Sequence, residues 1–298
     1  MKNNVDLFLD SGAFSAWTQK TEINIQEYIE FIFRNKKYIS VYANLDSIGD
    51  PEQTWKNQKT MEAAGLTPLP CFHLNEDYEW LQRYCEKYEY IAIGGMVGSV
   101  SNALQPFLDT CFGDYICDAK GIPKVKVHGF GLTSLKLMMR YPWYSVDSTS
   151  WVMTSRMGGI MVPRFRSGEY VYDEQSWKIS VSNQSPDTKE AGEHISTLSP
   201  RQREVILDYI HMKGYKLGKS SFRQEKGIYT LKEGEKWAGG RKGDVMRNVE
   251  TIEEPGLCND YKLRDEMNII YYMDLEKALP EWPWPFKIGI NNKGLNLL

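Results

Sequence analysis

Acidic and imidazole side chains follow short apolar runs at several points in the first half of this 298-residue sequence. Asp10, Asp46 and Asp147 each come at or just after the end of such a run, as do His73 and His128. Carboxylates grouped in this way can act as nucleophile, general base or hydrogen-bond acceptor, or they can bind a divalent metal. Catalytic metals commonly take several His ligands, and the sequence has no His-x-His pair. A mechanism that uses carboxylates and no metal is therefore predicted.

Two glycine-rich segments follow further apolar runs, at residues 94–98 (Gly-Gly-Met-Val-Gly) and 128–131 (His-Gly-Phe-Gly). Glycine lets a planar ligand approach the backbone closely, so that backbone N–H groups can bind the carbonyl of a heterocycle. Each of these residues also has a plain structural explanation, because an Asp after a strand often forms a turn or caps a helix. Their shared position after consecutive runs is what indicates a site.

The elements that would position these residues alternate between strands and helices. Apolar runs of strand length cover residues 7–9, 39–45, 69–72, 91–93, 125–127 and 144–146. Amphipathic segments between them predict helices over residues 25–33, 51–64, 77–88 and 101–112. This order predicts an α/β fold with a parallel sheet, with a TIM-like (β/α) barrel as the leading form and an open doubly wound sheet as its rival. In either form, the carboxyl ends of the strands meet at one rim.

The alternation ends beyond Trp151. Residues 159–172 are typical of a β-hairpin, residues 201–213 of a helix capped by Ser199, and residues 268–279 of a segment that starts as a strand and closes the sheet. We therefore predict a barrel body over residues 1–180, whose completeness stays open. A basic insertion follows over 181–265, and a returning strand or helix with a tail over 266–298.

The formal net charge of −3 is distributed unevenly along the chain. Residues 201–247 carry +6, between flanks of −5 and −4, and aromatic residues are interleaved with their Lys and Arg. Phosphate contact combined with stacking on unpaired bases uses such a mixture, although a solvated surface over ordinary core aromatics explains it equally well. The predicted nucleic-acid contacts are Arg156, Arg164, Arg166, Lys219, Arg223, Arg241 and Lys242.

Composition limits the class of protein. Hydrophobic residues make up 42% of the chain, which suits a folded domain with a sizeable core. Apolar runs of the ~18 residues that span a bilayer are absent from the sequence, so no membrane partner is expected. The polar start of the chain and five scattered Cys predict a reducing, cytoplasmic location, which is the host cytoplasm if a phage encodes the protein.

Five short segments occur in an order that resembles a known family. They are residues 9–14 (Leu-Asp-Ser-Gly-Ala-Phe), 45–46 (Leu-Asp), 94–98, 128–131 and 146–148 (Val-Asp-Ser). Together they resemble the tRNA-guanine transglycosylase superfamily, and they are most similar to its DNA-directed branch, the phage and bacterial 7-deazaguanine DNA transglycosylases. The resemblance covers about residues 6–175.

The resemblance implies that guanine in DNA is exchanged for a 7-deazaguanine base, such as a preQ0-like base, through a covalent glycosyl-aspartate. Asp147 would be the nucleophile and Asp10 the general base. Asp46 would accept hydrogen bonds from the N1–H and amine of the base, and the backbone at Gly95 and Met96 would face its carbonyl. Phe14 and Met96 would supply stacking surface, and the exchange would need no organic cofactor. The implied substrate-binding residues are Ser11, Gly12, Phe14, Asp46, His73, Gly94, Gly95, Met96, His128 and Gly129.

The sequence departs from the tRNA-directed enzymes in one respect. Those enzymes carry a structural zinc site of three Cys and one His after the nucleophile, whereas only Cys258 follows Asp147 here. DNA is therefore the favoured macromolecular partner, with tRNA as the alternative. Two other functions also stay open. One is a metal-dependent barrel hydrolase, with Asp10, Asp46, His73, His128 and Asp147 as its metal site, and the other is a non-catalytic nucleic-acid-binding protein. The oligomeric state stays open as well, with a homodimer as one option.

Overall fold

The computed structural model describes residues 7–99, 101–132, 134–184 and 190–286. Its contacts divide the chain into two compact units. The first unit holds the chain up to Ser148 together with the chain from Pro280 onward, and the second unit runs from Thr149 to Leu279. The division after Ser148 falls earlier in the chain than the end of the predicted body, at residue 180.

Strands and helices alternate through the first unit. The strands are β1 (Leu7–Leu9), β2 (Ile39–Tyr42), β3 (Cys71–His73), β4 (Tyr90–Gly94), β5 (Lys126–Gly129) and β6 (Ser145–Val146). The helices are α1 (Ala13–Gln19), α2 (Ile25–Asn35), α3 (Pro51–Ala63), α4 (Tyr78–Lys87), α5 (Ser101–Thr110) and α6 (Leu135–Arg140). A π-helix over Cys111–Ile116 continues α5. The predicted alternation of strands and helices is confirmed.

Local signals in the sequence explain where α3 begins and ends. The carboxylate of Asp50 accepts a hydrogen bond from the backbone N–H of Gln53 at 2.9 Å, and Pro51 occupies the first helical position. The Asp50 carboxylate satisfies one of the free N–H donors at the helix start. Pro51 has no N–H, so its position leaves no donor to satisfy. At the far end, Gly65 takes a φ of +84°, a conformation that ends a helix and that glycine adopts without strain.

The strands form parallel ladders in the order of the chain. β1 pairs with β2, and β3, β4, β5 and β6 pair in succession. A parallel bridge between Ala43 and Leu69 continues the ladder from β2 to β3. The predicted parallel sheet is confirmed. A doubly wound sheet reverses its strand order part-way across, and the consecutive order seen here lacks that reversal within the described residues.

This sheet is strongly curved. Neighbouring strands lie about 4.8 Å apart, so β1 and β5 would be separated by about 19 Å in a flat sheet. The rings of Phe8 on β1 and His128 on β5 nevertheless stack with centroids 4.3 Å apart. Phe130 packs edge-on against both rings. These aromatic contacts require the concave face of the sheet to bring its first and fifth strands together.

The second unit contains α7 (Ser150–Arg156), α8 (Pro200–Met212) and α9 (Tyr261–Ala278), with three antiparallel pieces of sheet. The strands of those pieces are β7 (Gly159–Val162) with β10 (Trp177–Ser180), β8 (Arg164–Arg166) with β9 (Glu169–Val171), and β11 (Lys219–Lys226), β13 (Met246–Glu254) and β12 (Glu235–Trp237). The predicted hairpin corresponds to β8–β9, and the predicted helix to α8.

The prediction of a strand after residue 268 is wrong, because this segment is the middle of α9. Asp260 caps that helix, and its buried side chains include Met267, Tyr271 and Leu275, which follow a four-residue spacing. Ile269 and Met273 belong to the apolar run but are 41% and 53% exposed. An apolar run of this length does not by itself distinguish a strand from a buried helix.

The remaining expectations concern membranes, the tail and the cysteines. Among the helices of the described ranges, none combines the length and the apolarity needed to cross a bilayer. Residues 287–298, the end of the predicted tail, lie outside the described residues. The described cysteines are free, and all of them except the half-buried Cys85 are buried.

Candidate active site

The carboxyl ends of the parallel strands bring the predicted rim residues to one edge of the sheet. His73 on β3 pairs in register with Gly94 on β4, and Gly129 on β5 pairs with Val146 on β6. Residues that end or directly follow aligned strands must therefore lie at the same edge. The residues at these positions are Asp10, His73, Gly94, Gly129 and Asp147. Asp46 follows the bridge residue Ala43 by three positions and reaches His73 on β3.

Asp147 presents a fixed and ionised carboxylate at this edge. Its side chain is 49% exposed, and Oδ1 accepts a hydrogen bond from the backbone N–H of Gly131 at 2.8 Å. His128 Nε2 lies 3.5 Å from the same oxygen. Burial raises the pKa of Asp147, but the His128 and Gly131 donors outweigh it and hold the pKa below its usual range. Asp147 is therefore a carboxylate at neutral pH, with one oxygen held and the other available.

A hydrogen-bond chain starts from the other ring nitrogen of His128, Nδ1, and continues through Ser145 to Tyr90. His128 Nδ1 lies 2.7 Å from Ser145 Oγ, which in turn lies 2.6 Å from the Tyr90 hydroxyl. We infer that Nε2 carries an N–H toward the Asp147 carboxylate, in which case Nδ1 accepts the Ser145 proton and Tyr90 donates to Ser145. Ser145 and Tyr90 were not among the predicted site residues. The signal for Ser145 was its position two residues before Asp147, on the same side of the strand.

Replacing Ser145 by Ala is expected to let the His128 imidazole populate both of its neutral tautomers. Without the Ser145 hydroxyl, Nδ1 loses its donor, and the Nδ1–H form becomes populated beside the Nε2–H form. Nitrogen-15 NMR of the imidazole measures this directly, with Ser145→Thr as the matched variant that keeps the hydroxyl. An unchanged Nε2–H signal in Ser145→Ala would contradict the proposed direction of the chain.

Asp46 and His73 belong to a second, buried cluster. His73 Nε2 lies 3.4 Å from Asp46 Oδ2 and 3.6 Å from Cys71 Sγ. Its other ring nitrogen, Nδ1, lies 3.2 Å from Glu76 Oε1. The side chains of Asp46 and Glu76 are 8% and 5% exposed. Cys71 and Glu76 were not predicted as site residues, although Cys71 stands two residues before His73 and therefore on the same side of β3.

Burial controls the protonation of this cluster. It raises the pKa of Cys71 to about 12, so the group is a thiol at neutral pH. It also raises the pKa of Asp46, against the opposing hydrogen bond to His73. Burial lowers the pKa of His73, but the contacts with Cys71, Asp46 and Glu76 outweigh it and raise that pKa well above its usual value. The neighbours of His73 therefore favour its protonated form, and carboxyl groups of Asp46 and Glu76 face its two ring nitrogens.

The rim residues do not form the ligand set that the hydrolase hypothesis requires. That hypothesis needs Asp10, Asp46, His73, His128 and Asp147 around one metal. Asp46 and His73 share one cluster, whereas His128 and Asp147 form a separate pair. Among the described residues, one group of at least three side chains is close enough to hold an ion. It consists of Asp46, Cys71 and His73.

Asp10 lies at the start of the loop that leads into α1. Its Oδ1 lies 3.4 Å from the backbone N–H of Gly12, whose φ of +75° suits glycine. Ser11 is buried, and its Oγ accepts a hydrogen bond from the N–H of Ala13 at 3.3 Å. Phe14 is 48% exposed and offers an open aromatic face. These contacts hold Asp10 in an exposed position beside an aromatic surface.

The Gly94–Gly95 turn leaves room for the buried cluster. A Cβ on Gly94 would lie 2.9 Å from His73 Cδ2 and 3.0 Å from Cys71 Sγ, which is closer than real Cβ atoms approach. Gly95 takes a φ of +75° and is exposed, so its backbone is accessible to a ligand. Met96 was expected to offer a stacking surface as well, but its side chain is buried with 3% exposure. Of the two proposed stacking residues, Phe14 is the exposed one.

The predicted phosphate contacts lie in the second unit, and several of them are already paired with carboxylates. Arg166 binds Asp173 and Glu174, and Arg223 binds Glu225 and Glu235. Within the described ranges, no ion pair is found for the exposed residues Arg156, Arg241 and Lys242. Arg164 donates to the backbone carbonyl of Gln175 at 3.0 Å.

The ladder between β11, β12 and β13 explains why the basic stretch is less positive than its sequence suggests. Acidic residues of β13 pair with lysines of, or adjoining, the other two strands. These pairs are Lys219–Glu253 at 2.7 Å, Lys216–Glu254 at 3.4 Å and Lys236–Glu250 at 3.4 Å. The +6 segment and the acidic segment after it therefore fold into one sheet, and the charge of one partly neutralises that of the other.

Comparisons of this chain with protein-family models, with curated proteins and with solved structures find no match. The resemblance to guanine transglycosylases therefore stays a prediction that depends on the ordered sequence segments. What the chain does must be inferred from the geometry of the rim.

Proposed function

We propose that this chain exchanges guanine in DNA for a 7-deazaguanine base through a covalent glycosyl-aspartate, and that its curved sheet is the wall of a (β/α) barrel. The observation that carries the proposal is the state of Asp147. It is an ionised, half-exposed carboxylate, fixed through one oxygen by Gly131 and His128 at the carboxyl end of β6. A nucleophile for a sugar carbon needs these properties.

In the first half of the reaction, Asp147 Oδ2 attacks C1′ of the target nucleotide. The C1′–N9 bond breaks, and its electron pair leaves with guanine, whose N9 takes a proton from solvent. A covalent bond forms between C1′ and the carboxylate. The transition state has cationic sugar character, so the negative charge of Asp147 stabilises it as in retaining glycosidases. Oδ1 stays with Gly131 and His128 throughout, which keeps the attacking oxygen in place.

In the second half, the incoming deazaguanine displaces Asp147. Asp10 takes the proton from N9 of the base, N9 bonds to C1′, and the C1′–Oδ2 bond breaks to restore the carboxylate. Asp46 accepts the N1–H and amine protons of the base, an edge at which adenine offers an acceptor at N1 instead. The exposed backbone at Gly95 faces the base carbonyl, and Phe14 supplies stacking surface.

DNA is the proposed macromolecular substrate, and a cytoplasmic compartment is the proposed location. The enzyme must reach a base inside a duplex, so it flips the nucleotide out or acts on a single strand. Arg156, Arg241 and Lys242, which form no ion pair among the described residues, are the proposed phosphate contacts that need no prior separation from a carboxylate. Whether the protein acts as a monomer or a homodimer does not alter this scheme.

A labelled-guanine exchange assay tests the proposal. The purified full chain is incubated with duplex DNA, single-stranded DNA or tRNA, and incorporation of labelled guanine and of an unlabelled deazaguanine is measured, the latter by mass spectrometry of nucleosides. We expect incorporation into DNA and not into tRNA. Incorporation into tRNA alone would overturn the choice of substrate, and no incorporation into either would overturn the reaction.

A further inference from the structure

We propose that Asp46, Cys71 and His73 form a zinc site, with Asp46 Oδ2, Cys71 Sγ and His73 Nε2 as ligands and a water molecule in the fourth position. The three atoms lie within 4.8 Å of one another. Cys71 and His73 are buried, and the side chain of Asp46 is 8% exposed. The site goes beyond the proposed exchange reaction, which uses no metal and for which no cofactor was expected. It also differs from the Cys-rich zinc site of the tRNA enzymes, because two of its three ligands are not cysteines.

The two distances from His73 Nε2 to the other ligand atoms match those of a tetrahedral zinc site, and the third separation is within 4.8 Å. Zinc binds sulfur at about 2.3 Å and nitrogen or oxygen at about 2.0–2.1 Å, so tetrahedral angles place sulfur about 3.5 Å from nitrogen and nitrogen about 3.4 Å from oxygen. The corresponding separations here are 3.6 Å from Cys71 Sγ to His73 Nε2 and 3.4 Å from His73 Nε2 to Asp46 Oδ2. His73 Nε2 therefore already lies at ligand-to-ligand distance from both other atoms.

Glu76 gives the histidine the orientation that a metal ligand needs. Its Oε1 lies 3.2 Å from His73 Nδ1, and its Oε2 accepts the backbone N–H of His73 at 3.1 Å. A metal-bound histidine usually donates its other ring N–H to a carboxylate, which fixes the ring and leaves the first nitrogen for the metal. With its side chain 5% exposed, Glu76 has no other evident use in the exchange scheme.

Two further features indicate that the cluster is built to receive a ligand. Asp46 Oδ1 is shielded from solvent and has no hydrogen-bond partner among the described residues, in a side chain that is 8% exposed. A buried polar atom without a partner is costly. Gly94 lets Cys71 and His73 pack together at this point, because a Cβ there would lie 2.9 Å from His73 Cδ2 and 3.0 Å from Cys71 Sγ.

The zinc site and the proposed recognition of the base can share Asp46. A metal on Oδ2 holds the carboxylate in one orientation. Oδ1, which has no hydrogen-bond partner among the described residues, is then the single oxygen that accepts both the N1–H and the amine proton of the base. Cys71 loses its proton when it binds the ion, as thiol ligands of zinc do. The site then serves to position the residue that reads the base, and not to activate water.

Metal binding to the purified full chain tests the site, with zinc and cobalt(II) as the probes. We expect one ion per chain, and a cobalt form that shows a thiolate charge-transfer band together with the visible bands of a tetrahedral ion. X-ray absorption of the zinc form is expected to show sulfur at about 2.3 Å and nitrogen or oxygen at about 2.0–2.1 Å. Glu76→Gln, which keeps a hydrogen bond but not the charge, is expected to weaken zinc binding about 10–100-fold.

Two cysteine variants make a matched pair. Cys71→Ser should lose the charge-transfer band, whereas Cys111→Ser, at an equally buried position in the same unit, should keep it. Because the spectra of the unaltered chain already report a sulfur ligand, the test does not depend on the folding of Cys71→Ser. Absence of bound metal in the unaltered chain, or a band that survives in a folded Cys71→Ser, would overturn the site. Asp147→Asn should retain zinc even where exchange is lost, which separates failure of the site from failure of the exchange reaction.

Discussion

Replacing Asp147 by Asn is expected to lower guanine exchange by about four orders of magnitude or more, while binding of DNA survives. The amide cannot form the covalent bond to C1′, because its oxygen is a much weaker nucleophile than a carboxylate oxygen. Asparagine still presents an oxygen to the N–H of Gly131, so the local backbone should keep its conformation. The exchange assay gives the rate, and a DNA-binding titration at fixed salt gives the affinity.

Asp118→Asn is the matched control for this prediction. Asp118 also accepts backbone N–H bonds, from Lys120 and Ile122, and its pKa is also lowered, by those bonds. It precedes β5, however, and so does not lie where a strand ends. We expect normal exchange from this variant. Near-normal exchange in Asp147→Asn would show that another residue is the nucleophile.

Much of the rim was predictable because its placement depends on local periodicity and on chain order. Asp50, Pro51 and Gly65 mark the ends of α3 through capping and turn preferences that operate within a few residues. Once the strands are known to be parallel and consecutive, every residue that follows a strand must reach the same edge. The predicted positions of Asp10 and Asp147 required no knowledge of packing.

The partners of the rim residues were not predictable in the same way. Tyr90, His128 and Ser145 lie on three different strands. The hydrogen bonds from Tyr90 to Ser145 and from Ser145 to His128 depend on the register between those strands. Glu76 reaches His73 through the turn after β3, and Cys71 joins the same cluster only because the neighbouring strand carries Gly94. Such contacts depend on side chains from separate elements, which no local pattern specifies.

The charge pattern along the sequence overstates the positive charge of the folded segment for a related reason. A sum taken over residues 201–247 stops just after β13 begins, and so separates Lys219 and Lys236 from the glutamates with which they pair. Charge along the sequence predicts charge on a surface only where ion pairs do not cross the chosen boundary. The carboxylates of the rim, which depend on strand order alone, therefore carry the functional argument better than the basic stretch does.

Replacing Asp10 by Asn is expected to lower exchange about 10²–10⁴-fold and to trap the covalent intermediate. In the proposed scheme Asp147 can still attack C1′ and release guanine, but no base takes the N9 proton of the incoming deazaguanine. The glycosyl-aspartate should then accumulate. Asparagine keeps the oxygen that faces the N–H of Gly12 at 3.4 Å, so the loop before α1 should not change.

A labelled oligonucleotide and a denaturing gel measure this adduct directly. Asp10→Asn should give a protein–DNA band that survives denaturation, and the double variant Asp10→Asn with Asp147→Asn should give none, because the bond is to the Asp147 carboxylate. A band that persists in the double variant would place the covalent bond on another residue. Full loss of exchange in Asp10→Asn without any adduct would instead assign Asp10 to the first half of the reaction, since the proton it handles would then be needed before guanine can leave.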